Sequence, residues 1–190
     1  MNRIVAVMSG ALWSFAAPVP AEPLVRMHTS YYYVDGLSAM ALAAQIDQLG
    51  PSGADGIRYA GKTKWDVQWK FTHEQRGVSC HIKEVAVAIG IAQVLPRWRG
   101  EAKGAVALRT RWRQFRDALK RHEDRHADHG LAAGRGIEAV LLATKPASNC
   151  EEIALAANAS AHALVKKYRK LDEAYDRETE HGRNQGATLL

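Results

Sequence analysis

The chain has 190 residues, of which 47% are hydrophobic, and its formal net charge at pH 7 is +6. This composition is typical of ordinary globular proteins, and the length requires no second domain. Basic residues are scattered among acidic ones along residues 97–125 and 166–183, which indicates a solvated surface and argues against a nucleic-acid groove. We therefore expect no nucleic-acid partner.

Residues 1–21 predict a secretory signal peptide. Arg3 supplies a positive start, residues 4–17 form an almost uncharged apolar run, and Val19-Pro20-Ala21 is a small-residue pattern suited to signal peptidase. Cleavage after Ala21 would leave residues 22–190 as one domain, periplasmic or secreted, without a transmembrane anchor. A permanent anchor is the alternative, but the apolar run is too short to span a bilayer comfortably.

The first half of the remaining chain predicts a small sheet with one helix. Residues 28–35 are β-formers, and Ser38 can cap the short helix that follows. Apolar residues alternate along 57–71 and again along 80–95, with a turn near 74–77 between them. We interpret these segments as antiparallel strands.

In the second half, apolar residues recur at three- and four-residue steps, which predicts helix. Pro146 ends the first long helix, and Ser148 with Glu151 forms a capping box that opens a second one, which should end near Gly182. The tail, residues 184–190, should be loose. The sequence therefore predicts an α+β fold in which a small antiparallel sheet is followed by two long helices.

The two cysteines, Cys80 and Cys150, predict a disulfide. An exported protein meets an oxidising compartment, where an even pair of cysteines usually bridges. Neither cysteine has a close partner of metal-ligand spacing, apart from His81, whose adjacency to Cys80 points its side chain elsewhere. Two buried free thiols are the alternative.

The segment His122-Glu123-Asp124-Arg125-His126 is an HExxH pentapeptide within the first long helix. Histidines four residues apart share one helix face and can bind one metal ion, and Glu123 then points to the open coordination side of that ion. His122 and His126 fall in register with the apolar stripe, so they face the body of the protein. The pattern is typical of zinc hydrolases in which the glutamate is the general base for a zinc-activated water. The alternative for Glu123 is an ordinary exposed helix residue.

Several stretches occur together in an order that is more specific than any one of them. They are 31–36 (YYYVDG), 65–69 (WDVQW), 80–82 (CHI), 95–98 (LPRW), 122–126 (HEDRH) and 175–182 (YDRETEHG). With these stretches the chain resembles, over nearly all of residues 22–190, the predicted secreted zinc-dependent proteases of bacteria catalogued as domain of unknown function family 922. The resemblance implies zinc binding and, through the family's assignment, hydrolysis of peptide bonds.

A catalytic zinc needs three protein ligands and one open position, so His122 and His126 need a partner. The elongated HExxHxxGxxH pattern is absent, because His129 stands where its glycine should be. Acidic residues and one histidine gather at the end of the second long helix: Asp172, Asp176, Glu178, Glu180 and His181. We predict His181 as the third ligand, because a helix terminus can aim a side chain into a neighbouring pocket and because it lies in a stretch that carries the resemblance. Asp176 is the alternative, although it could equally orient a ligating histidine, and His181 could be an exposed helix-end residue.

His129 lies one helical turn beyond His126. A continuous helix would not deliver it to the same ion as the HExxH histidines, so we predict a supporting or surface role for it. The transition state also needs a group that stabilises the developing oxyanion, and Tyr175, His181 and Arg125 are the candidates.

The function predicted from the sequence is an exported, zincin-like metallopeptidase that uses Zn²⁺ to hydrolyse a peptide bond. Its substrates would be peptides or proteins, envelope proteins among them. One alternative is a non-catalytic envelope protein in which a structural metal site supports binding to a partner. Another is a hydrolase that acts on cell-wall amides.

Overall fold

The computed structural model describes residues 22–53 and 55–190, and the predicted signal peptide lies outside them. The described residues form an α+β fold, in which a three-stranded sheet is followed by long helices. In chain order the elements are β1 (Leu24–Val34), α1 (Ala39–Leu49), β2 (Lys62–Arg76), β3 (Ser79–Trp98), α2 (Val106–Leu142) and α3 (Cys150–Thr179). Short 3₁₀ turns follow β3, at Glu101–Lys103, and α3, at Arg183–Gln185.

The sheet has the strand order β1-β3-β2 and is mixed. β2 and β3 form the antiparallel hairpin that alternation predicts, with a turn at Gly77, whose φ of 59° lies in the left-handed region that glycine tolerates. β1 instead runs parallel to β3, with Leu24 opposite Ala88 and Val34 opposite Trp98. The prediction of a wholly antiparallel sheet is therefore wrong for β1. Its partner strand is not its neighbour in sequence, and alternation carries no information on such long-range pairing.

Two hydrophobic clusters lie along α2. Near its start, Trp112 and Phe115 pack with α1 and with the ends of β1 and β3. Near its end, Ile137 packs with α3 and with inward-facing residues of β2 and β3, such as Trp65 and Ile89. The HExxH segment lies between these clusters, so each side of it is supported by packed side chains.

The caps at the starts of α1 and α3 agree in part with those predicted from the sequence. Ser38 caps α1 as predicted, because its hydroxyl accepts a hydrogen bond from the backbone N–H of Ala41. The N-cap of α3 lies one residue later than predicted: it is Asn149, whose side chain accepts from the backbone N–H of Glu152 at 2.9 Å. Ser148 donates to the carboxylate of the same glutamate.

The chain after α3 is packed, and the prediction of a loose tail is wrong. Ala187 and Leu189 are buried in the cluster formed with α1 and the start of α2. The turn that brings them back needs Gly182, whose φ is 85°. A Cβ on this residue would lie 3.0 Å from Cγ of His122, so glycine is required both by conformation and by space.

The predicted disulfide is confirmed. Cys80 and Cys150 are bonded, with their Cα atoms 5.1 Å apart, and they join the start of β3 to the first turn of α3. Backbone hydrogen bonds between Cys80 and Ala147 hold the same junction. Among the described residues, no helix is both long and apolar enough to cross a membrane.

Candidate metal centre

Two pairs of side chains face each other where the middle of α2 meets the last turns of α3. His122 and His126 are four residues apart on α2, and Asp172 and Asp176 are four residues apart on α3. Each pair therefore projects from one face of its helix. His122 and His126 are 2% and 7% exposed, which confirms that the HExxH histidines face the body of the protein.

Three side-chain atoms converge on one point. Oδ1 of Asp176 lies 3.1 Å from Nε2 of His122 and 3.0 Å from Nε2 of His126, and the two Nε2 atoms are 3.3 Å apart. These residues form a group whose nitrogen and oxygen atoms could hold a metal ion.

The remaining ring nitrogens of the two histidines are already engaged. Nδ1 of His126 donates to Oδ1 of Asp172 at 2.9 Å, and Nδ1 of His122 donates to Oε1 of Gln185 at 3.2 Å. A neutral imidazole that donates from Nδ1 presents a lone pair at Nε2. Each Nε2 lies within hydrogen-bonding distance of Oδ1 of Asp176, and a cation bound between these three atoms would take the place of those hydrogen bonds and bind the Nε2 lone pairs.

The spacing of the three atoms fits a tetrahedral metal. Ligand bonds of about 2.0–2.2 Å, as zinc forms with histidine nitrogen and carboxylate oxygen, place tetrahedral ligands roughly 3.3–3.5 Å apart. The three separations here, 3.0–3.3 Å, are slightly shorter. The residues present would need to move by only a few tenths of an ångström to hold such an ion.

Asp172 lies behind this group and accepts hydrogen bonds from several side chains. Its Oδ1 also accepts from Nδ1 of His129 at 2.7 Å, and its Oδ2 accepts from Nε1 of Trp65 at 2.6 Å. His129 is buried, so of its two predicted roles the surface one does not apply. Because three donors from α2 and β2 meet on one carboxylate, Asp172 fixes the orientation of His126.

Charge in the site favours a bound cation. Burial alone would raise the pKa of Asp176, but hydrogen bonds with His122 and His126 outweigh it and hold that pKa well below the usual range. Burial likewise acts to lower the pKa of His126, and its hydrogen bonds to Asp172 and Asp176 outweigh this and raise it to about 10. The two carboxylates thus stabilise a positive charge at the position where a metal would lie.

Glu123 is held next to the histidines by β2. It is 3% exposed, and its Oε2 accepts a hydrogen bond of 2.7 Å from the hydroxyl of Thr63. Burial raises the pKa of Glu123, and the Thr63 hydrogen bond and the neighbouring histidines oppose this. A Cβ on Gly61 would lie 2.7 Å from Oε1, so the glycine leaves the space that this oxygen occupies.

A cleft of about 770 Å³ opens over the group. One wall is formed by Gly61 and by Thr63 at the start of β2, and the other by the last part of α3. His122, Glu123 and His126 line its floor, and Asp176 keeps 29% of its side chain exposed. The convergent group therefore borders the cleft, with Asp176 as its most exposed member.

His181 lies on the rim of this cleft and outside the convergent group. Its Nδ1 is 3.5 Å from Oδ1 of Asp176, and 44% of its side chain is exposed. Its backbone and that of Glu180 both have φ near 50°, a conformation that costs energy for residues with a Cβ. The ring packs against that of Tyr59, with centroids 4.2 Å apart, so this strained turn directs His181 over the cleft.

The other candidates for oxyanion stabilisation lie elsewhere. Tyr175 stacks on His122 with ring centroids 4.9 Å apart, and its hydroxyl bonds to Gln185. Arg125 is exposed and does not line the cleft. Tyr175 thus supports the position of a histidine, and of the three candidates only His181 faces the cleft.

Sequence reasoning missed the roles of Gln185 and Thr63 and left Asp172 without a role. For Asp172 a signal was present, since the i, i+4 pair of aspartates matches the i, i+4 pair of histidines. Gln185 and Thr63 are common polar residues without a motif, and only the fold brings them to the site.

A family model described as a bacterial protein of unknown function, DUF922, matches residues 29–182. This range includes β2, β3, both long helices and every residue of the convergent group. No curated protein and no solved structure matches the chain.

Proposed function

We propose that this chain, which belongs to the DUF922 family of bacterial proteins of unknown function, is an exported zinc-dependent hydrolase of peptide bonds. The observation that carries the proposal is the convergence of two Nε2 atoms and one Oδ1 atom within 3.3 Å of one another at the floor of an open cleft. The HExxH glutamate lies beside them. This is the residue set of a zincin-like centre with an acidic third ligand.

In this proposal His122, His126 and Asp176 hold the metal. Asp176 takes the place of His181 as the third ligand, because its oxygen is the atom to which both Nε2 atoms point. A zinc ion bound there would polarise the substrate carbonyl and make a coordinated water more acidic. With a metal bound, Asp172 and Gln185 would accept hydrogen bonds from the two Nδ1 atoms and so hold both imidazoles in the tautomer that leaves Nε2 free for the metal.

Glu123 is the proposed general base. The hydroxyl of Thr63 already donates a hydrogen bond to Oε2 of Glu123. The other oxygen, Oε1, lies next to Gly61 and is therefore the one that would accept the proton of the attacking water. Burial raises the pKa of this carboxyl, which makes it a stronger base than an exposed glutamate. The same carboxyl then donates the proton to the amine that leaves.

His181 is the proposed donor to the oxyanion. Its exposed ring stands over the cleft, and Tyr59 limits its movement. A preorganised donor at the position where negative charge develops costs no reorganisation during the reaction. The strained backbone at Glu180 and His181 supports this role, because strain of this kind concentrates at functional sites.

Two features favour hydrolysis over a structural metal site. A structural zinc is enclosed by four protein ligands, whereas this group offers three and faces the cleft. β2 lies at the edge of the sheet, and its first residues, Lys62 to Lys64, line the cleft. An extended peptide can pair with such an edge, which supports a peptide substrate.

Export is supported by two observations. The disulfide between Cys80 and Cys150 is of a kind that persists in oxidising compartments. The first 21 residues have the sequence pattern of a signal peptide.

The direct test is hydrolysis by oxidised protein that begins at Glu22 and is supplied with zinc. Unstructured casein and purified peptidoglycan are offered separately, and new amino groups are measured in each. The proposal expects release from casein that Glu123→Gln abolishes and that a chelator stops. Release from peptidoglycan alone would refute the peptidase assignment in favour of a cell-wall amidase. No release from either, with zinc bound, would refute hydrolysis and leave a structural metal site.

A further inference from the structure

A second depression, of about 610 Å³, adjoins the metal cleft on the outer face of the sheet. Lys64 of β2 and Arg169 of α3 line both cavities. The two cavities therefore lie side by side at the edge of β2, with these two side chains between them. A substrate held in the metal cleft could extend one of its groups into the second depression.

Three cationic side chains surround this depression. They come from three elements, Arg26 from β1, Lys64 from β2 and Arg169 from α3, and the one acidic residue of the lining is Asp66. Within residues 22–53 and 55–190, none of the three cations has a carboxylate oxygen within 4.0 Å. The depression therefore has an excess of positive charge that no acidic side chain of the described chain neutralises at close range.

The floor of the depression holds its one acidic group, and the three cations surround it. Gly90 on β3 is flanked by Arg26 and Asp66 across the sheet, and Ala92 lies beside Lys64. A Cβ on Gly90 would lie 2.5 Å from Oδ1 of Asp66, so the missing side chain of Gly90 leaves the space that the Asp66 carboxylate occupies.

Arg169 is fixed in place and linked to the metal centre. Its guanidinium lies over the ring of Trp65, 3.7 Å from the centroid, and donates to the backbone oxygen of the same residue. The indole N–H of Trp65 in turn donates to Asp172, which orients His126. A cation held in this way loses little conformational freedom when it binds an anion.

We propose that this depression is a subsite for a carboxylate of the peptide substrate that lies near the bond to be cleaved. The inference rests on the proposed function only in taking the ligand to be a peptide. The carboxylate could belong to a Glu or Asp side chain or to a free C-terminus.

Binding is measured with the Glu123→Gln protein, supplied with zinc, so that the result does not depend on turnover. The probes are labelled peptides of about ten residues that differ only in having Glu or Gln, each made with a free and with an amidated C-terminus. We expect the Glu peptides to bind about five- to tenfold more tightly than the Gln peptides at low salt, because each exposed charge pair contributes little and several act together. The difference should shrink at high salt, which screens exposed charges. A difference between free and amidated forms alone would assign the subsite to the terminus.

The matched variants are Arg26→Glu with Lys64→Glu and, as a control with the same change of net charge, Lys103→Glu with Arg111→Glu, since Lys103 and Arg111 are exposed and line neither cavity. The double variant should abolish or invert the preference, whereas the control should keep it. Equal affinity for all peptides, or an equal loss in the control, would overturn the subsite. If the Glu preference holds but wild type cleaves nothing, the hydrolase proposal fails and the carboxylate site stands. If wild type cleaves peptides but the Glu and Gln peptides bind equally, the carboxylate subsite fails and the hydrolase proposal stands.

Discussion

Asp172→Asn should weaken zinc binding about 10- to 100-fold without removing a metal ligand. In the structure three N–H groups, from His126, His129 and Trp65, point at the Asp172 carboxylate at 2.6–2.9 Å. Asparagine offers one acceptor oxygen and replaces the other with an NH₂ donor. At least one buried N–H then faces another donor, and such an unmatched group costs about 1–3 kcal/mol.

That cost agrees with what is known of carboxylates behind zinc-bound histidines, whose loss typically reduces metal affinity about 10- to 100-fold, or roughly 1.4–2.8 kcal/mol. The assay is competition for zinc against a chromophoric chelator, for wild type and variant. Asp128→Asn is the control, since Asp128 is an exposed residue of the same helix. Thermal unfolding of the metal-free proteins separates a change of the site from a loss of fold. Unchanged zinc affinity in folded Asp172→Asn protein would refute the role of Asp172 as the residue that orients His126.

Four further predictions concern the base, the oxyanion donor, the space around the base and the disulfide. Glu123→Gln should keep zinc and lower the rate of casein hydrolysis about 10²- to 10⁴-fold, and loss of zinc in this variant would instead make Glu123 a structural residue of the site. His181→Asn should also keep zinc and lower kcat about 10²- to 10³-fold with little change in KM, whereas unchanged kcat would exclude it as the oxyanion donor. Gly61→Ala should reduce hydrolysis while zinc stays bound, because its Cβ would meet Oε1 of Glu123 at 2.7 Å; full activity would show that this oxygen is free to move. Replacing Cys80 and Cys150 together by serine should lower the free energy of unfolding by about 4 kcal/mol, since the bond closes a loop with a sequence separation of 70, and urea denaturation that shows no loss would contradict this.

The helical half of the fold follows from local patterns. The apolar stripe of α2, the proline after it and the cap of α1 are all features within a few residues of each other, and each predicts its element. β1 shows the limit of this reasoning. Its parallel partner β3 is reached only after α1 and β2, and no local pattern encodes which strand edge it finds.

Of the site residues, too, those fixed by local helical spacing follow from the sequence, and those placed by long-range packing do not. His122, Glu123 and His126 are fixed relative to one another by helical spacing, so the sequence predicts their common face. The third position depends on the rotation of α3 and on where it ends. α3 ends at Thr179, which places Asp176 opposite the histidines and moves His181 into the strained turn at the rim. The position of Gln185, which contacts His122, depends on how the tail packs through Ala187 and Leu189.

The most direct test of the account is the zinc content and zinc affinity of the oxidised protein beginning at Glu22, measured by mass spectrometry and chelator competition. We predict one zinc per wild-type chain, lost in His122→Ala and in Asp176→Ala and retained in His181→Ala. Zinc retained in Asp176→Ala and lost in His181→Ala would contradict the ligand set proposed from the structure. Wild-type protein that binds no zinc when zinc is supplied would contradict the metal centre itself.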